Sequence, residues 1–385
     1  MKDISIYFTP VNYKAKPDAT NLGNQVEIHT EGNFPDLNQK GVAILHVPEY
    51  RNYDATMSEK ASESFRRFFY TYYKSADWDF AIYDLGDVNP GNNIEDTYFA
   101  LRQIVGELVK KSIIPVIIGG TQDLTYAVYQ GYEALEQLIN VATIDAKLDL
   151  GDPEEPLSKD AFVSKMLTHR PCFLFNMAVL GYQTPLVPQS ELDLFEKLYF
   201  DAVRLGELKS DMKIAEPHLR NTDFLSIDLQ SIKAAEFQGA FYQEPNGFEN
   251  QEICQLLKYA GIADKMTTLG VFNYFPSSSS DAAHAQVAQM IWYFMDGYAQ
   301  RVGDFPFGSK KEYTKFTVFL DEINHEIIFY RSNKSERWWM EVPHPPKEGV
   351  KFERHQLVPC DKAHYNNALK NEIPNLWWKT YQKLG

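Results

Sequence analysis

Acidic side chains follow strand-like apolar runs in this chain, at the places where the runs end. Asp145 and Asp149 follow one run, Asp228 ends another, and Lys147 lies between the first two. Because ligands gather at the carboxyl ends of the strands in a parallel sheet, we expect these side chains to share one pocket. Three carboxylates cannot all stay ionised together without a compensating cation. The stretches concerned are Gly119-Gly120-Thr121-Gln122-Asp123, Asp145-Ala146-Lys147-Leu148-Asp149 and Ser226-Ile227-Asp228-Leu229-Gln230.

The compensating charge can come from Lys147 or from a bound ion. With Lys147 protonated, the cluster carries a net charge of about −2, which one divalent ion would neutralise. In the ion-free alternative, Lys147 pairs with Asp145 and Asp228, and Gln122 and Gln230 satisfy the remaining donors and acceptors. Of the two alternatives we favour this ion-free network, and hence we expect no cofactor. The candidate catalytic residues are Asp145, Lys147 and Asp228, although neighbouring carboxylates would keep the lysine charged and unsuited to act as a nucleophile.

The elements that must position these residues alternate along the chain. Short β-rich runs alternate with longer segments of helical period up to about residue 300, a pattern typical of a mainly parallel sheet covered by helices on both faces. The predicted strands are 41–46, 78–84, 113–118, 139–145, 172–180, 223–229 and 266–273. The predicted helices are 56–74, 94–111, 123–137, 159–169, 190–199, 247–260 and 281–301.

The pattern changes after about residue 305. Three strand-like runs predict a small antiparallel β unit, followed by a Pro-rich stretch and two short helices. These runs are 314–320, 325–330 and 337–342, and the Pro-rich stretch is 343–346. We therefore divide the chain into an α/β domain at 1–305 and a C-terminal extension at 306–385. The aromatic side chains of Phe329, Tyr330, Trp338 and Trp339 could form a contact surface for another chain, or simply pack against the parent domain.

Composition limits the classes of partner. The chain has 385 residues, of which 44% are hydrophobic, and a formal net charge of −14. It therefore offers no basic face to neutralise nucleic-acid phosphates or to bind an anionic membrane. No run approaches the ~20 apolar residues that cross a bilayer, and the first residues are too polar for a signal segment. We expect an ordered, cytoplasmic protein without membrane insertion.

The three stretches resemble the metal-binding motifs of the ureohydrolase family, which includes arginase, agmatinase and formimidoylglutamase. In that family the motifs read Gly-Gly-Asp-His, Asp-Ala-His-x-Asp and Ser-x-Asp-x-Asp, and their two His and four Asp hold two manganese ions. The resemblance implies a three-layer α/β/α, arginase-like fold over 1–305, with the formimidoylglutamase-like branch closest. It also makes a homo-oligomer plausible, since relatives commonly form trimers or hexamers.

Half of the family's ligands are exchanged in this chain. The altered ligand positions are Gln122, Lys147 and Gln230. Under the resemblance, one metal position keeps an all-oxygen set suited to a single Mn²⁺, Mg²⁺ or Ca²⁺ ion. That set is Gln122, Asp145, Asp149 and Asp228. The second position would receive Lys147 and Gln230, and because a protonated amine repels a cation, we expect the second metal to be absent.

The substrate-binding residue of the family is also exchanged. Its Glu-x-Asn-Pro sequence corresponds to Asn273-Tyr274-Phe275-Pro276, so Asn273 replaces the Glu that receives a guanidinium-like group. This exchange removes the charge that would hold such a cation. We therefore predict a family member that has lost two-metal catalysis and binds a protein partner or a small ligand in a scaffold or regulatory role. The alternative is a hydrolase of linear C–N bonds, acting on amidine or guanidino groups like a formimidoylglutamase, with a one-metal site.

Overall fold

A computed structural model describes residues 3–12, 18–54, 64–239, 242–306, 310–321, 324–343 and 352–384. Within these ranges, a ten-stranded sheet forms the centre of the first part of the chain. Its strands are β1 (Phe8–Thr9), β2 (Glu27–Ile28), β3 (Gly41–His46), β4 (Ala81–Val88), β5 (Ile113–Ile118), β6 (Ile139–Ile144), β7 (Leu174–Tyr182), β8 (Asp201–Arg204), β9 (Phe224–Asp228) and β10 (Thr268–Phe272). The strand order is β1-β4-β3-β5-β10-β9-β6-β7-β8, and β2 also pairs with β4. The β1–β4 pair is antiparallel and the other pairs are parallel.

Helices cover both faces of this sheet. They are α1 (Ser64–Phe69), α2 (Ile94–Lys110), α3 (Leu124–Gly131), α4 (Phe162–Thr168), α5 (Gln189–Lys197), α6 (Leu205–Ser210), α7 (Ala215–Arg220), α8 (Asn250–Ile262) and α9 (Asp281–Ala299). Alternate residues of β5 belong to two different apolar clusters: Ile114 and Val116 pack on the side of α8 and α9, whereas Ile113 and Ile117 pack on the side of α2 and α3. The predicted three-layer α/β/α fold with a mainly parallel sheet is therefore confirmed.

The C-terminal part forms a separate antiparallel sheet. Its strands are β11 (Tyr313–Leu320), β12 (His325–Ser332), β13 (Trp338–Glu341) and β14 (Leu357–Cys360), and the helices α10 (Lys362–Ala368) and α11 (Asn375–Leu384) follow. The predicted antiparallel β unit and the two short helices are present. Most of the Pro-rich stretch at 343–346 lies outside the described residues. The division of the chain at residues 305 and 306 stays a prediction, as does its cytoplasmic location. No helix in the described ranges combines the length and hydropathy needed to span a bilayer.

The second sheet packs against the first part of the chain through a buried arginine. Arg220, at the end of α7, donates from Nη1 to the Trp338 carbonyl oxygen at 3.0 Å and from Nη2 to the Cys360 carbonyl oxygen at 2.8 Å. Its guanidinium carbon lies 4.5 Å from the centroid of a Trp339 ring. The aromatic side chains suggested as a contact surface are buried, with at most 8% of their area exposed. The alternative of an aromatic docking surface at these residues is therefore wrong, because the side chains form the core and the joint of the extension.

Replacing Arg220 tests this joint. We expect Arg220→Met to lower the free energy of unfolding by about 2–3 kcal/mol, because two buried carbonyl groups lose charged donors. The matched control is Arg102→Met, which removes a half-exposed partner of Glu133 and should cost less than about 1 kcal/mol. Denaturant unfolding followed by tryptophan fluorescence measures both. Equal effects of the two substitutions would contradict the role assigned to Arg220.

Candidate functional site

The motif residues meet at the carboxyl edge of four neighbouring strands. Gln122 follows β5, Asp145 follows β6, Asp228 ends β9 and Asn273 follows β10. These four strands lie side by side in the order β5-β10-β9-β6. The parallel sheet therefore brings together side chains that are up to 151 positions apart in the sequence, from Gln122 to Asn273.

Left-handed backbone positions shape this edge. Gly119 and Gly120 have φ values of +87° and +73°, and a Cβ at Gly120 would lie 2.2 Å from Leu124 Cδ1. Only glycine fits there, so the Gly-Gly pair makes the turn that carries Gln122 into the pocket. Asp149 and Asn273 also have positive φ, at 48° and 58°. Asp and Asn tolerate this region better than other side chains, which allows both to lie directly beside the strand ends.

Asp145 is the centre of a buried hydrogen-bond network. Gln122 Nε2 donates to Asp145 Oδ2 at 2.6 Å, and the Lys147 backbone N–H donates to Asp145 Oδ1 at 2.9 Å. The Asp149 carboxyl group also hydrogen-bonds to Asp145. Burial raises the pKa of Asp145, and burial together with the negative charge of Asp145 raises the pKa of Asp149 well above its usual range. The two acids therefore share protons instead of both being ionised.

Asp228 and Asn273 form the other half of the pocket. Asp228 Oδ1 accepts from the Gln230 backbone N–H at 2.7 Å and from Asn273 Nδ2 at 2.8 Å. Burial and the nearby charge of Asp145 raise the pKa of Asp228 to about 8. Asn273 is 1% exposed, and its Oδ1 has no hydrogen-bond partner among the described residues. This oxygen is therefore a buried acceptor whose hydrogen-bonding capacity is unused among the described residues.

The ammonium group of Lys147 lies outside the pocket. Its Nζ lies 3.1 Å from Asp160 Oδ1, and its side chain is 42% exposed. Lys159 Nζ binds the other oxygen of Asp160 at 2.7 Å. Within the described ranges, no side-chain cation forms an ion pair with Asp145, Asp149 or Asp228. The predicted pairing of Lys147 with Asp145 and Asp228 is wrong, because the ammonium stays hydrated beside an exposed acid instead of paying for burial.

The donor set suits one divalent ion and not two. Three buried carboxylates and the amide of Gln122 offer hard oxygen ligands for one ion. At the second position, Gln230 offers a neutral amide and the Lys147 ammonium points elsewhere. Among the described residues, no group of three or more His, Cys, Asp or Glu side chains is already arranged as a metal cluster. Asp145 accepts from Gln122 Nε2 and shares a proton with Asp149, so an ion has to displace that N–H donor and that proton from Asp145.

Sequence reasoning missed two acids near this pocket. Asp160 is the actual partner of Lys147, and Asp123 is a fully buried carboxylate that accepts from Asn52 Nδ2 at 2.9 Å and from the Tyr98 hydroxyl. Burial raises the pKa of Asp123. The position of Asp123 beside Gln122 was a signal of proximity, but nothing in the sequence paired it with Asn52 or Tyr98.

Comparisons with known proteins agree with this architecture. The arginase family model matches residues 54–296, and the chain belongs to that family. The formimidoylglutamase of Macrococcus caseolyticus is 33% identical over 223 residues, which cover 56% of this chain and 71% of that protein. The formimidoylglutamase of Geobacillus sp. strain WCH70 is 24% identical over 188 residues, 46% of this chain, and the match spans only 58% of that relative's length. The protein is therefore a ureohydrolase-fold chain that is most similar to the formimidoylglutamase branch.

A solved structure corrects the prediction about cofactors. Trypanosoma cruzi formiminoglutamase, described with Mn²⁺, matches with a TM-score of 0.61 at 17% identity, covering 68% of this chain and 94% of that one. A relative of the same fold thus carries manganese at its site. This finding overturns the sequence-based preference for a site without a cofactor. The physical reason is that Lys147, the proposed internal cation, binds Asp160 instead.

Proposed function

We propose that this chain is a hydrolase of linear, non-peptide C–N bonds that works with one divalent ion. The observation that carries the proposal is the cluster of Asp145, Asp149 and Asp228, three buried carboxylates without an ion-paired cation in the described part of the chain. Burying such charges is costly unless a counter-charge is supplied. The names of the curated relatives and the manganese of the solved one support an ion as that counter-charge.

The residues that would hold the ion have distinct neighbours. The set is Gln122, Asp145, Asp149 and Asp228. A divalent ion bound there would supply Lewis acidity that polarises the substrate group and makes the carbon of its C–N bond more electrophilic. Hydrogen bonds from Gln230 N–H and Asn273 Nδ2 orient Asp228, and the buried strand ends exclude water from the pocket. Although its partial burial acts in the other direction, the charge of Asp160 raises the pKa of Lys147, so this lysine supplies positive charge at the pocket edge and does not act as a base.

Asn273 determines which end of a substrate the pocket accepts. Its free Oδ1 can accept one N–H, but it lacks the charge that would stabilise a guanidinium. A neutral amide N–H, or an amidine in its deprotonated form, fits this acceptor better than an arginine-like cation does. N-formimidoyl-L-glutamate, the substrate class implied by the names of the relatives, is the first compound to assay.

Elemental analysis and turnover test this proposal together. Protein prepared with Mn²⁺ should hold about one ion per chain, because the oxygen set provides one site with two to three negative charges. It should release product from N-formimidoyl-L-glutamate, and Asp145→Ala should abolish both properties. Glu133→Ala, which removes a half-exposed acid paired with Arg102, should keep the ion. Two ions per chain would contradict the one-ion site, and no ion would contradict the hydrolase proposal.

A catalytically silent family member is the second candidate. It is favoured by the simultaneous exchange at three metal-ligand positions and at the substrate-binding position, which are Gln122, Lys147, Gln230 and Asn273. In that case, protein loaded with Mn²⁺ shows no turnover of amides, amidines or guanidino compounds, and the function lies in binding a partner or a small ligand. The combined variant Gln122→His, Lys147→His, Gln230→Asp and Asn273→Glu would then gain activity that the unaltered chain lacks. Turnover by the unaltered chain excludes this candidate.

A further inference from the structure

A second polar cavity lies at the opposite end of the sheet from the carboxylates. It has a volume of about 370 Å³ and lies between the amino ends of β6, β7 and β8 on one side and β14, α10 and α11 on the other. Asn140 at the start of β6 lines this cavity, and Asp145 follows the end of the same strand. Five residues of strand separate the two sites by roughly 17 Å. The cavity is therefore distinct from the proposed metal site.

Two buried acceptors on the cavity wall have no donor among the described residues. Asn140 is 1% exposed and donates from Nδ2 to the Asn221 carbonyl oxygen at 2.7 Å, but its Oδ1 is unpartnered. His355 is 3% exposed, and its Nε2 lies 3.2 Å from the Leu138 carbonyl oxygen. Because a carbonyl only accepts, Nε2 carries the proton and the unpartnered Nδ1 is an acceptor. Leaving two such groups without donors costs about 1–3 kcal/mol each, which a ligand with N–H groups would recover.

The same cavity contains the partly buried ammonium of Lys383, for which no ion pair is found among the described residues. Lys383 on α11 donates to Asn176 Oδ1, and its Nζ lies 5.3 Å and 5.9 Å from the ring centroids of Phe200 and Phe175. Burial lowers the pKa of Lys383 to about 8. The nearby Asp201 is engaged by Lys379, whose Nζ lies 3.2 Å from its Oδ1. Lys383 therefore has donor capacity that an anionic ligand group can use.

We propose that this cavity binds a free α-amino acid, with its carboxylate at Lys383 and its amino group at Asn140 Oδ1 and His355 Nδ1. The wall provides an unpaired cation and unpaired acceptors, which is the complement of a zwitterion. A simple carboxylate would leave the two acceptors without donors, and a simple amine would leave Lys383 without an anion. The volume lies in the range of small-ligand sites. The inference does not depend on the proposed hydrolase function, because its residues lie at the other edge of the sheet.

Binding of individual L-amino acids to the full chain loaded with Mn²⁺ tests the proposal. We expect at least one of the common L-amino acids to bind with a Kd of about 1 mM or tighter in isothermal titration calorimetry, and to raise the unfolding temperature. Its decarboxylated amine and its deaminated acid should bind at least about tenfold more weakly, since each lacks one of the two groups. Failure of all common L-amino acids to bind overturns the proposal, and so does equal binding of the acid or the amine.

Variants locate the binding at this cavity. Lys383→Met should weaken binding at least about tenfold, whereas Lys383→Arg, which keeps the charge, should retain most of it. Asn140→Leu should weaken binding by a similar factor. The control is Lys258→Met, because Lys258 pairs with Asp296 and does not line the cavity. Binding by Lys383→Met that equals that of the unaltered chain would overturn the assignment, and unchanged binding by Asn140→Leu provides the same test if the Met variant does not fold.

Discussion

Arg66→Met should lower the free energy of unfolding by about 3–5 kcal/mol, the cost of leaving buried carboxylates without their cation. Arg66 on α1 is 2% exposed. Its Nε lies 2.8 Å from Asp84 Oδ2, its Nη1 lies 2.7 Å from Asp87 Oδ1, and its Nη2 donates to the Gly86 carbonyl oxygen at 3.0 Å. The arginine thus fixes α1 to the carboxyl half of β4 through a fork of charge-assisted hydrogen bonds. Urea or guanidinium unfolding of the purified variant gives the free energy.

The neighbouring arginine is the matched control. Arg67 pairs with Asp281 at 2.5 Å on the surface, where the two side chains are 55% and 76% exposed. Arg67→Met should therefore change the free energy of unfolding by less than about 1 kcal/mol. If both variants lose the same stability, the buried network does not have the role assigned to it.

The pH dependence of the Arg66 variant has a definite sign. Burial opposes ionisation of Asp87, but the charges of Arg66 and His46 outweigh it and hold the pKa of this carboxyl well below its usual range. A depressed pKa stabilises the fold above the unfolded value of about 4, and the stability is lost as the pH falls below that value. In Arg66→Met, burial acts without Arg66, so the carboxyl should take up a proton at higher pH. The stability deficit of the variant should therefore shrink between pH 8 and pH 4, and a constant deficit would contradict the charge argument.

The central sheet was predictable because its strands are buried on both faces. The run Ile113–Ile118 and the run Gly41–His46 coincide with β5 and β3, since continuous apolar residues ended by Gly-Gly or flanked by polar turns leave little choice. The short strands β1, β2 and β8 were missed because two to four residues without a periodic pattern carry no signal of their own. They exist because they pair with the edges of longer strands.

Helix ends were less predictable than helix positions. The helix predicted at 56–74 is described only as Ser64–Phe69, and residues 55–63 lie outside the described ranges. The helix α7 was missed because its six residues are too few to show a helical period and Pro217 lies within them. Likewise, β14 contains Pro359, which weakens a strand signal although the strand pairs with β13. In each case, tertiary packing selected an element that local sequence did not favour.

The position of the site residues in the sheet was predictable from the sequence, but the ion-pair partner of Lys147 was not. The order of motifs placed Gln122, Asp145, Asp228 and Asn273 at one edge of the sheet, and the fold brings them there. The partner of Lys147 could not be predicted, because a four-carbon side chain reaches several acids and the choice depends on which one stays hydrated. That choice decides the chemistry, since it leaves Asp145, Asp149 and Asp228 without an internal cation.

Because these three acids lack an internal cation, we expect one substitution among them to have opposite effects on stability and on ion binding. Without metal, Asp228→Asn should raise the free energy of unfolding by about 1–3 kcal/mol, because it removes one of three buried acids and keeps an oxygen to accept from Gln230 N–H and Asn273 Nδ2.

With Mn²⁺ present, the unaltered chain should instead be more stable than Asp228→Asn. Unaltered protein gains about 2.7 kcal/mol when Mn²⁺ is present at 100 times its Kd. Loss of a neighbour of a metal ligand already costs 10–100-fold in affinity, so loss of a charged ligand should weaken Mn²⁺ binding by at least about 100-fold in Asp228→Asn. Thermal unfolding with and without Mn²⁺ measures both effects, and Glu133→Gln, at a half-exposed acid paired with Arg102, is the control that should respond to Mn²⁺ like the unaltered chain. If Mn²⁺ stabilises Asp228→Asn as much as the unaltered chain, the ion does not bind at these carboxylates. If metal-free Asp228→Asn is the less stable protein, the three acids are not an unbalanced cluster, and the argument for an ion at this edge of the sheet loses its basis.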